Sequence, residues 1–181
     1  MNNIKPIETI YKGYRFRSRL EARWAVFFDA IGAQYEYEPE GFEMPDGTLY
    51  LPDFYLHGVR GRGGAPDIYV EIKGALSKED IHKVQAFSEF YPVIIFGQIP
   101  KERWSNYLNA WDLDFTDMGS WIYNLCLSEG DDYYTEPKAG KYGGLVLDYP
   151  DDPYDYVDRA RTIEAYRKAR QARFEHGESP R

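Results

Sequence analysis

Apolar residues recur at helical spacing near the start of the chain. They are Leu20, Trp24, Phe27, Phe28 and Ile31. Residues three and four positions apart lie on one face of a helix, so this pattern predicts an amphipathic helix over residues 18–31. Gly32 follows and supplies a stop, because glycine readily adopts the conformation that ends many helices.

Alternating apolar residues and turn residues predict three strands, a second helix and a fourth strand after it. The predicted strands cover residues 34–38, 49–56, 68–73 and 93–96, and the second helix covers residues 77–90. Pro45, Asp46 and Gly47 form a turn by their chemistry, and Ser77 with Asp80 caps the second helix. Residues 58–66 are a predicted loop, and residues 100–111 a further helix. This order of elements predicts an α/β fold.

The third predicted strand carries the clearest candidate chemistry. Side chains alternate between the two faces of a strand, so Ile68, Val70 and Ile72 point into the core. Glu71 and Lys73 share the opposite face, roughly 6–7 Å apart at the backbone. That spacing lets the carboxylate hold a cation while the lysine reaches the same reacting group. A Glu-x-Lys pair also occurs commonly on a solvated face.

A divalent metal needs a second carboxylate, and three aspartates that follow a proline compete for the role. Asp46 belongs to the predicted turn, and Asp67 lies about 13 Å from Glu71 along the same strand. Asp53 lies on the preceding strand, and neighbouring strands are about 4.8 Å apart, so Asp53 and Glu71 can converge on one ion. Two carboxylates and a backbone carbonyl suffice for Mg²⁺, which keeps several waters. Pro52 within the strand marks an edge or a bulge, and bulges often adjoin sites.

The charge of the chain is unevenly distributed. The 181 residues carry 22 Lys and Arg against 30 Asp and Glu, a net charge of −8, and such a total argues against a nucleic-acid partner. Residues 129–158, however, hold 2 basic and 9 acidic residues, whereas residues 159–181 hold 7 and 3. We therefore divide the chain into a core (1–128), an acidic, tyrosine-rich connector with a short strand at 145–147 (129–158), and a basic tail (159–181). A basic helix is predicted over residues 156–174. The connector carries most of the negative charge, so the total does not exclude nucleic acid.

Compartment signals in the sequence are few. The single cysteine, Cys126, excludes an internal disulfide and a cysteine-based zinc cluster. The first ten residues hold no apolar segment typical of a signal peptide, and no apolar run approaches the roughly 20 residues that span a bilayer. We expect a cytoplasmic protein with no membrane partner.

The pair Pro52-Asp53 on one strand and the run Glu71-Ile72-Lys73 on the next, within this order of elements, resemble the PD-(D/E)XK nuclease superfamily. The resemblance covers residues 11–97. It implies a restriction-endonuclease-like αβββαβ core, a central mixed sheet flanked by helices. The runs at residues 16–21, 35–38, 52–54 and 70–74 are most similar to small phage endonucleases, including enzymes that resolve Holliday junctions. The linker over residues 57–67 is longer than the tight hairpin usual in that group.

The resemblance implies an endonuclease that hydrolyses DNA phosphodiester bonds with Mg²⁺ or Mn²⁺, encoded by a phage and acting in the host cytoplasm. Asp53, Glu71 and the carbonyl of Ile72 would hold the metal. Lys73 would orient the attacking water or stabilise charge on the phosphate.

Glu21 has two roles that the sequence leaves open. It stands where many members of the superfamily carry a helix glutamate that joins the metal site. Ser18 and Glu21 also fit a capping box, in which Glu21 accepts a hydrogen bond from the Ser18 amide.

Arginines near the predicted site are candidate DNA phosphate contacts. They are Arg15, Arg17, Arg19 and Arg23 at the start of the first helix, and Arg60 and Arg62 on the glycine-rich loop. Each is equally well explained as a solvated arginine. One site per chain cuts one strand, so double-strand cleavage or junction resolution implies a homodimer. The alternatives are a restriction or repair nuclease with another DNA shape as target, and a non-catalytic module that binds DNA or a protein.

Overall fold

Strands and helices alternate along the part of the chain that the computed structural model describes, residues 7–61, 67–99, 136–148 and 157–174. In chain order they are β1 (Thr9–Tyr11), β2 (Tyr14–Phe16), α1 (Arg19–Ile31), β3 (Gln34–Tyr37), β4 (Phe42–Glu43), β5 (Leu49–Tyr50), β6 (Phe54–His57), β7 (Arg60–Gly61), β8 (Ile68–Ile72), α2 (Lys78–Ser88), β9 (Val93–Phe96), β10 (Glu136–Ala139), β11 (Leu145–Asp148) and α3 (Arg159–Gln171). The described residues thus form a mixed α/β fold with a central mixed sheet and three helices, and the predicted fold class is confirmed at that level.

Helix α1 begins and ends where its caps predict. The Ser18 hydroxyl accepts a hydrogen bond from the Glu21 amide at 3.2 Å, and Gly32 ends the helix with a φ of 72°. Both signals are local, so the sequence alone was sufficient to predict them. The buried face of α1 includes Trp24, whose indole N–H donates to the Gly97 carbonyl at 2.8 Å.

The central sheet has the strand order β3-β6-β8-β9. Strand β6 runs antiparallel to both β3 and β8, whereas β8 and β9 run parallel. A parallel pair needs a crossover connection, and α2 provides it. In the antiparallel register, Phe54 lies opposite Val70 and Leu56 opposite Ile68. Helices α1 and α2 and the strands of this sheet occur along the chain in the order α1, β3, β6, β8, α2 and β9, as predicted, but β4 and β5 lie between β3 and β6, and β7 lies between β6 and β8.

Helices cover both faces of the central sheet. On one face, Val70 lies in the apolar core that α1 and α3 complete. On the other face, Tyr69 packs with Phe87 of α2 in a second apolar cluster. The predicted division of β8 into two faces is confirmed, but the alternative of a solvated second face is wrong, because Glu71 on that face is only 4% exposed. Periodicity shows that two faces differ and leaves open what covers each.

The strand predicted over residues 49–56 is in fact two strands. Strand β5 pairs with β4, whereas β6 starts only at Phe54 and belongs to the central sheet. Pro52 lies between them and has no N–H to donate to a ladder. The prediction of one continuous strand is therefore wrong, and Pro52 marks the point where the chain leaves one sheet before it enters another.

The C-terminal elements pack against the N-terminal ones. The ring of Tyr166 on α3 stacks on Phe27 of α1, with ring centroids 4.5 Å apart. Strand β11 pairs antiparallel with β10 and parallel with β7, so Arg60, predicted to lie on a loop, lies in a short strand instead. The predicted strand at 145–147 and the predicted C-terminal helix are confirmed as β11 and α3.

Some predictions concern residues outside the described ranges. They include the helix over residues 100–111, Arg62, Cys126 and most of the acidic connector. Within the described ranges, no helix is both long enough and apolar enough to cross a bilayer.

Candidate active site

Asp53 is fixed beside β8 by the break at Pro52. The register that pairs Phe54 with Val70 places Pro52 opposite Ile72. Pro52 has no N–H for the Ile72 carbonyl, so this rung of the ladder cannot form fully. The side chain of Asp53 replaces part of it, since its Oδ2 accepts a hydrogen bond from the Ile72 N–H at 2.7 Å. The result is a buried carboxylate, 2% exposed, next to a carbonyl that lacks its ladder donor.

Glu71 lies directly before Ile72 and is also buried. Its Oε2 accepts a hydrogen bond from the Tyr50 hydroxyl at 2.7 Å, and its Oε1 lies 2.9 Å from Nζ of Lys73. Tyr50 reaches Glu71 because β5 has left the central sheet and turned over the face that carries Glu71. The break at Pro52 therefore positions Asp53 and also brings Tyr50 to the second carboxylate.

Lys73 is held between two carboxylates. Its Nζ lies 2.9 Å from Glu71 and 3.0 Å from Oδ1 of Asp80, near the start of α2. Asp80 is itself fixed by a capping box, because its Oδ2 accepts from the Ser77 amide at 2.9 Å. Burial alone would lower the pKa of Lys73, but the two carboxylates outweigh it and raise that pKa above its usual range. Lys73 is therefore a fixed positive charge.

Glu21 points from the first turn of α1 and is 6% exposed. Its carboxylate accepts from the hydroxyl groups of Ser18 and Tyr37, both at 2.7 Å, and from the Arg17 amide at 3.0 Å. The predicted capping box is thus corrected, since the amide that Glu21 accepts from is that of Arg17, one residue earlier than expected. The Glu21 charge also acts on Asp53, so the cap and the site share this residue.

Arg17, predicted to contact DNA, bridges two acidic residues. Its guanidinium lies 2.5 Å from Oδ1 of Asp53 and 2.5 Å from Oε1 of Glu38. The side chain is about half exposed, unlike the Asp53 carboxylate that it reaches. Arg17 therefore supplies positive charge to the site from the solvent side.

At Asp53, the effect of the neighbouring negative charges is larger than that of the neighbouring positive charge. The pKa of Asp53 is raised to about 8, mainly by burial and then by the charges of Glu71 and Glu21. The hydrogen bond from Ile72 and the charge of Arg17 oppose this shift without cancelling it. A second positive charge at this position would lower the pKa of Asp53, because it favours the ionised carboxylate.

The donor set fits a small oxygen-seeking cation. Mg²⁺ is commonly bound through one or two carboxylates and keeps several waters, and Asp53, Glu71 and the Ile72 carbonyl supply oxygen only. Among the described residues, no group of three or more His, Cys, Asp or Glu side chains is arranged to hold a metal ion. The fit therefore rests on two carboxylates and a carbonyl, with Arg17 and Lys73 as their present partners.

The remaining predicted DNA contacts are spread over the molecule. Arg15 is largely exposed and lies 3.5 Å from Glu8. Arg19 and Arg23 lie on the side of α1 that meets the end of α3. Arg60 lies in β7. Of the predicted arginines in the described ranges, Arg17 is the one that contacts Asp53.

Three residues of the site escaped prediction: Tyr37, Tyr50 and Asp80. Asp80 was predicted as a cap. A cap needs only one carboxylate oxygen, and the second oxygen was the signal that Asp80 could also bind a cation. Tyr37 stands on the alternating strand β3, where a polar partner for Glu21 could have been sought. Tyr50 carries no local signal, because its contact depends on the path that the chain takes around Pro52.

No protein-family model matches the sequence, and no curated protein matches it.

Proposed function

We propose that this chain is an Mg²⁺- or Mn²⁺-dependent endonuclease of the PD-(D/E)XK type that hydrolyses phosphodiester bonds in DNA. One observation carries the proposal. The buried Asp53 carboxylate is hydrogen-bonded to the Ile72 amide, between Glu71 and Lys73 on the neighbouring strand. One point of the sheet thus brings together two carboxylates, a carbonyl and an ammonium group. Apolar packing of the fold does not require polar groups at this point.

Each residue has a role in this proposal. Asp53, Glu71 and the carbonyl of Ile72 would hold the ion. When bound, the ion would polarise the phosphate and lower the pKa of a coordinated water. Glu21 fixes the start of α1 through its bonds to Ser18 and to the Arg17 amide, and its negative charge near Asp53 favours a cation.

Lys73 serves as a charge and not as a base. Its pKa is raised above the usual range, so it stays protonated throughout the physiological range and cannot accept the proton of the attacking water. An ammonium group there stabilises the charge that develops on the phosphate and orients the water by donating to its oxygen. Asp80 keeps Lys73 in place through an ion pair of 3.0 Å.

A plasmid-nicking assay tests the proposal. Purified protein is incubated with supercoiled plasmid in Mg²⁺, in Mn²⁺ and in EDTA, beside the variants Glu71→Gln and Lys73→Gln. Glu43→Gln, at an exposed position of β4, is the matched control. We expect cleavage that needs the metal, is retained by the control, and falls at least about 100-fold in both site variants, the size of effect typical of removing one stabilising charge. Metal-dependent cutting by both site variants at the wild-type rate would refute the assignment.

A panel of DNA shapes then defines the substrate. Duplex, flap, four-way junction and single strand separate a junction-resolving enzyme from a restriction or repair nuclease. Sedimentation of the protein on the preferred substrate tests the expected homodimer.

One observation favours the non-catalytic alternative, a module that binds DNA or a protein partner. Arg17 already pairs with Asp53, and Lys73 already pairs with Glu71 and Asp80, so both carboxylates have a cationic partner in the absence of metal. This alternative predicts DNA or protein binding that EDTA does not alter, no cleavage, and no change of melting temperature with Mg²⁺.

A further inference from the structure

Arg17 occupies the oxygen of Asp53 that is not tied to the backbone. Oδ2 of Asp53 accepts from the Ile72 amide at 2.7 Å, whereas Oδ1 accepts from Nη2 of Arg17 at 2.5 Å. The Asp53 carboxylate is buried and half of the Arg17 side chain is exposed, so the guanidinium covers this carboxylate from the solvent side. In the proposed function Asp53 holds a cation, and Arg17 already stands at the oxygen that would do so.

Glu38 gives Arg17 a second carboxylate at the same place in the sheet. The register of β3 and β6 places Glu38 opposite Asp53, and the Glu38 amide donates to the Asp53 carbonyl at 2.9 Å. Oε1 of Glu38 lies 2.5 Å from Nε of Arg17. One guanidinium therefore contacts two carboxylates, one on each strand.

The contact between Arg17 and Glu38 is incomplete. Although the two atoms are close, Oε1 of Glu38 is buried and accepts no hydrogen bond from the described residues. A distance of 2.5 Å without a hydrogen bond means that the N–H of Arg17 is not directed at this oxygen. Buried polar atoms are nearly always hydrogen-bonded, so Glu38 holds an acceptor that a reoriented guanidinium would satisfy.

The backbone of Glu38 has an unusual conformation. Its φ is 45°, in the left-handed region that residues with a Cβ adopt rarely. Such conformations persist where the surrounding structure enforces them, and they are concentrated at functional sites. Here the hydrogen bond to the Asp53 carbonyl fixes the backbone of Glu38, and the side chain meets the cation that Asp53 also uses.

The other carboxylate of the site has the same arrangement. Nζ of Lys73 lies 2.9 Å from Glu71 and 3.0 Å from Asp80. Each buried carboxylate that would hold the ion thus shares its present cation with a more exposed one. A cation with two such partners can leave the first without losing all compensation of its charge, because the second stays beside it.

We propose that Arg17 is a counter-ion that Asp53 exchanges for the divalent metal, and that Glu38 is the positioning residue that makes this exchange possible. Without metal, Arg17 is hydrogen-bonded to Asp53. When the cation binds, Arg17 leaves Oδ1, turns to the unsatisfied oxygen of Glu38 and stays beside the site. The inference rests on the proposed function in assigning a divalent cation to Asp53.

The first test follows Arg17 itself as Mg²⁺ is added, with no DNA present. Its Nε–Hε signal, assigned by its loss in Arg17→Lys, is recorded by NMR in EDTA and at increasing Mg²⁺. In the wild type we expect a downfield shift that saturates, because this N–H becomes hydrogen-bonded to Glu38. In Glu38→Ala the signal should instead broaden through exchange with water. An unmoved wild-type signal at saturating Mg²⁺, or the same shift in Glu38→Ala, would overturn the exchange.

The second test is a double-mutant cycle on the Mg²⁺ affinity, measured from the rise of the melting temperature with Mg²⁺ concentration. Glu38→Ala is introduced into the wild type and into Arg17→Gln. Its weakening of Mg²⁺ binding should be about fivefold larger when Arg17 is present, a coupling within the range found for residues in contact. Loss of Arg17 also changes how tightly Asp53 holds its proton, but that change is common to both members of the second pair and cancels in the comparison.

A surface ion pair supplies the control for this cycle. Glu8→Ala removes the same charge from the partner of Arg15, where both side chains are largely exposed, and should change the Mg²⁺ affinity by less than about twofold. Circular dichroism verifies that all variants are folded. Equal weakening by Glu38→Ala in both backgrounds would mean that Glu38 acts by its charge alone, and would contradict its role in positioning Arg17.

The exchange and the proposed function can fail separately, because neither measurement includes DNA or cleavage. An active nuclease whose Arg17 signal does not move with Mg²⁺ would contradict the exchange and leave the proposed function intact. A protein in which Arg17 turns to Glu38 with Mg²⁺ but which cuts nothing would support the exchange and contradict the nuclease. Absence of Mg²⁺ binding by both the wild type and Arg17→Gln would contradict both.

Discussion

Asp53 should make the metal-free protein lose stability as the pH rises towards 8. Its pKa is raised in the folded state, by burial first and then by the charges of Glu71 and Glu21, with Arg17 opposing. A carboxyl group with a raised pKa binds its proton more tightly in the folded than in the unfolded chain. Its contribution to stability is therefore greatest at pH values below the unfolded pKa, near 3.8, and is lost as the pH rises through the folded pKa of about 8.

The size of this loss follows from proton linkage. One proton held only by the folded state changes the free energy of unfolding by about 1.4 kcal/mol per pH unit. Between about pH 6.0 and 7.5 the loss amounts to about 2 kcal/mol. In a chain of this length that lowers the melting temperature by about 4–8 °C. Solvent screening removes little of this, because Asp53 is 2% exposed.

Thermal melts in EDTA across this pH range measure the effect. Asp53→Asn cannot ionise and should lose the extra pH slope, whereas Asp46→Asn, in an exposed turn where the pKa is lowered, should keep it. Mg²⁺ at about a hundredfold excess over its dissociation constant should restore about 2.7 kcal/mol to the wild type and little to Asp53→Asn. An equal pH slope in wild type and Asp53→Asn, or equal stabilisation of both by Mg²⁺, would refute the assignment of Asp53.

Three further predictions concern single contacts. Tyr50→Phe removes the hydrogen bond to the buried Glu71 and should lower the free energy of unfolding in EDTA by about 1–3 kcal/mol, measured by urea denaturation; an unchanged midpoint contradicts the contact. Asp80→Asn keeps an oxygen for its cap but releases Lys73, so cleavage should fall about tenfold or more while stability changes by less than about 1 kcal/mol; equal loss of both would indicate a purely structural role. Gly32→Ala should lower the free energy of unfolding by about 1 kcal/mol, because the left-handed φ of 72° is unfavourable for a residue with a Cβ. No neighbouring atom lies within 4 Å of an added Cβ, so a steric clash adds nothing to this loss. A cost near zero in its thermal melt would argue against that conformation.

Local signals carried the prediction of the helices. Ser18 and Gly32 bound α1, and Ser77 with Asp80 bounds the start of α2, because a cap is formed by residues within one turn of the helix end. The two faces of β8 followed equally well from alternation. These features depend on neighbours in the sequence, and a single sequence contains them.

Contacts between distant segments were not predictable in the same way. The strand at residues 49–56 was predicted as one piece, because its apolar alternation continues across Pro52 and the effect of the missing N–H depends on Ile72 in another strand. The pairing of β7 with β11 joins residues far apart in the chain. Likewise, the burial of Glu71 results from α2 and Tyr50 covering it, which the alternation within β8 does not reveal. The pairing of Asp53 with β8 could be predicted, but its acceptance of the Ile72 amide could not.

The stacking of Tyr166 on Phe27 has a consequence for how the protein is made. The two residues are about 140 positions apart, so α1 leaves the ribosome long before its partner exists. At synthesis rates of about 5–20 residues per second, the wait lasts about 7–28 s. During that time the aromatic side of α1 lacks its final cover and is open to the chaperones that bind nascent apolar segments. Helix α3 thus covers a side of α1 that was synthesised long before it.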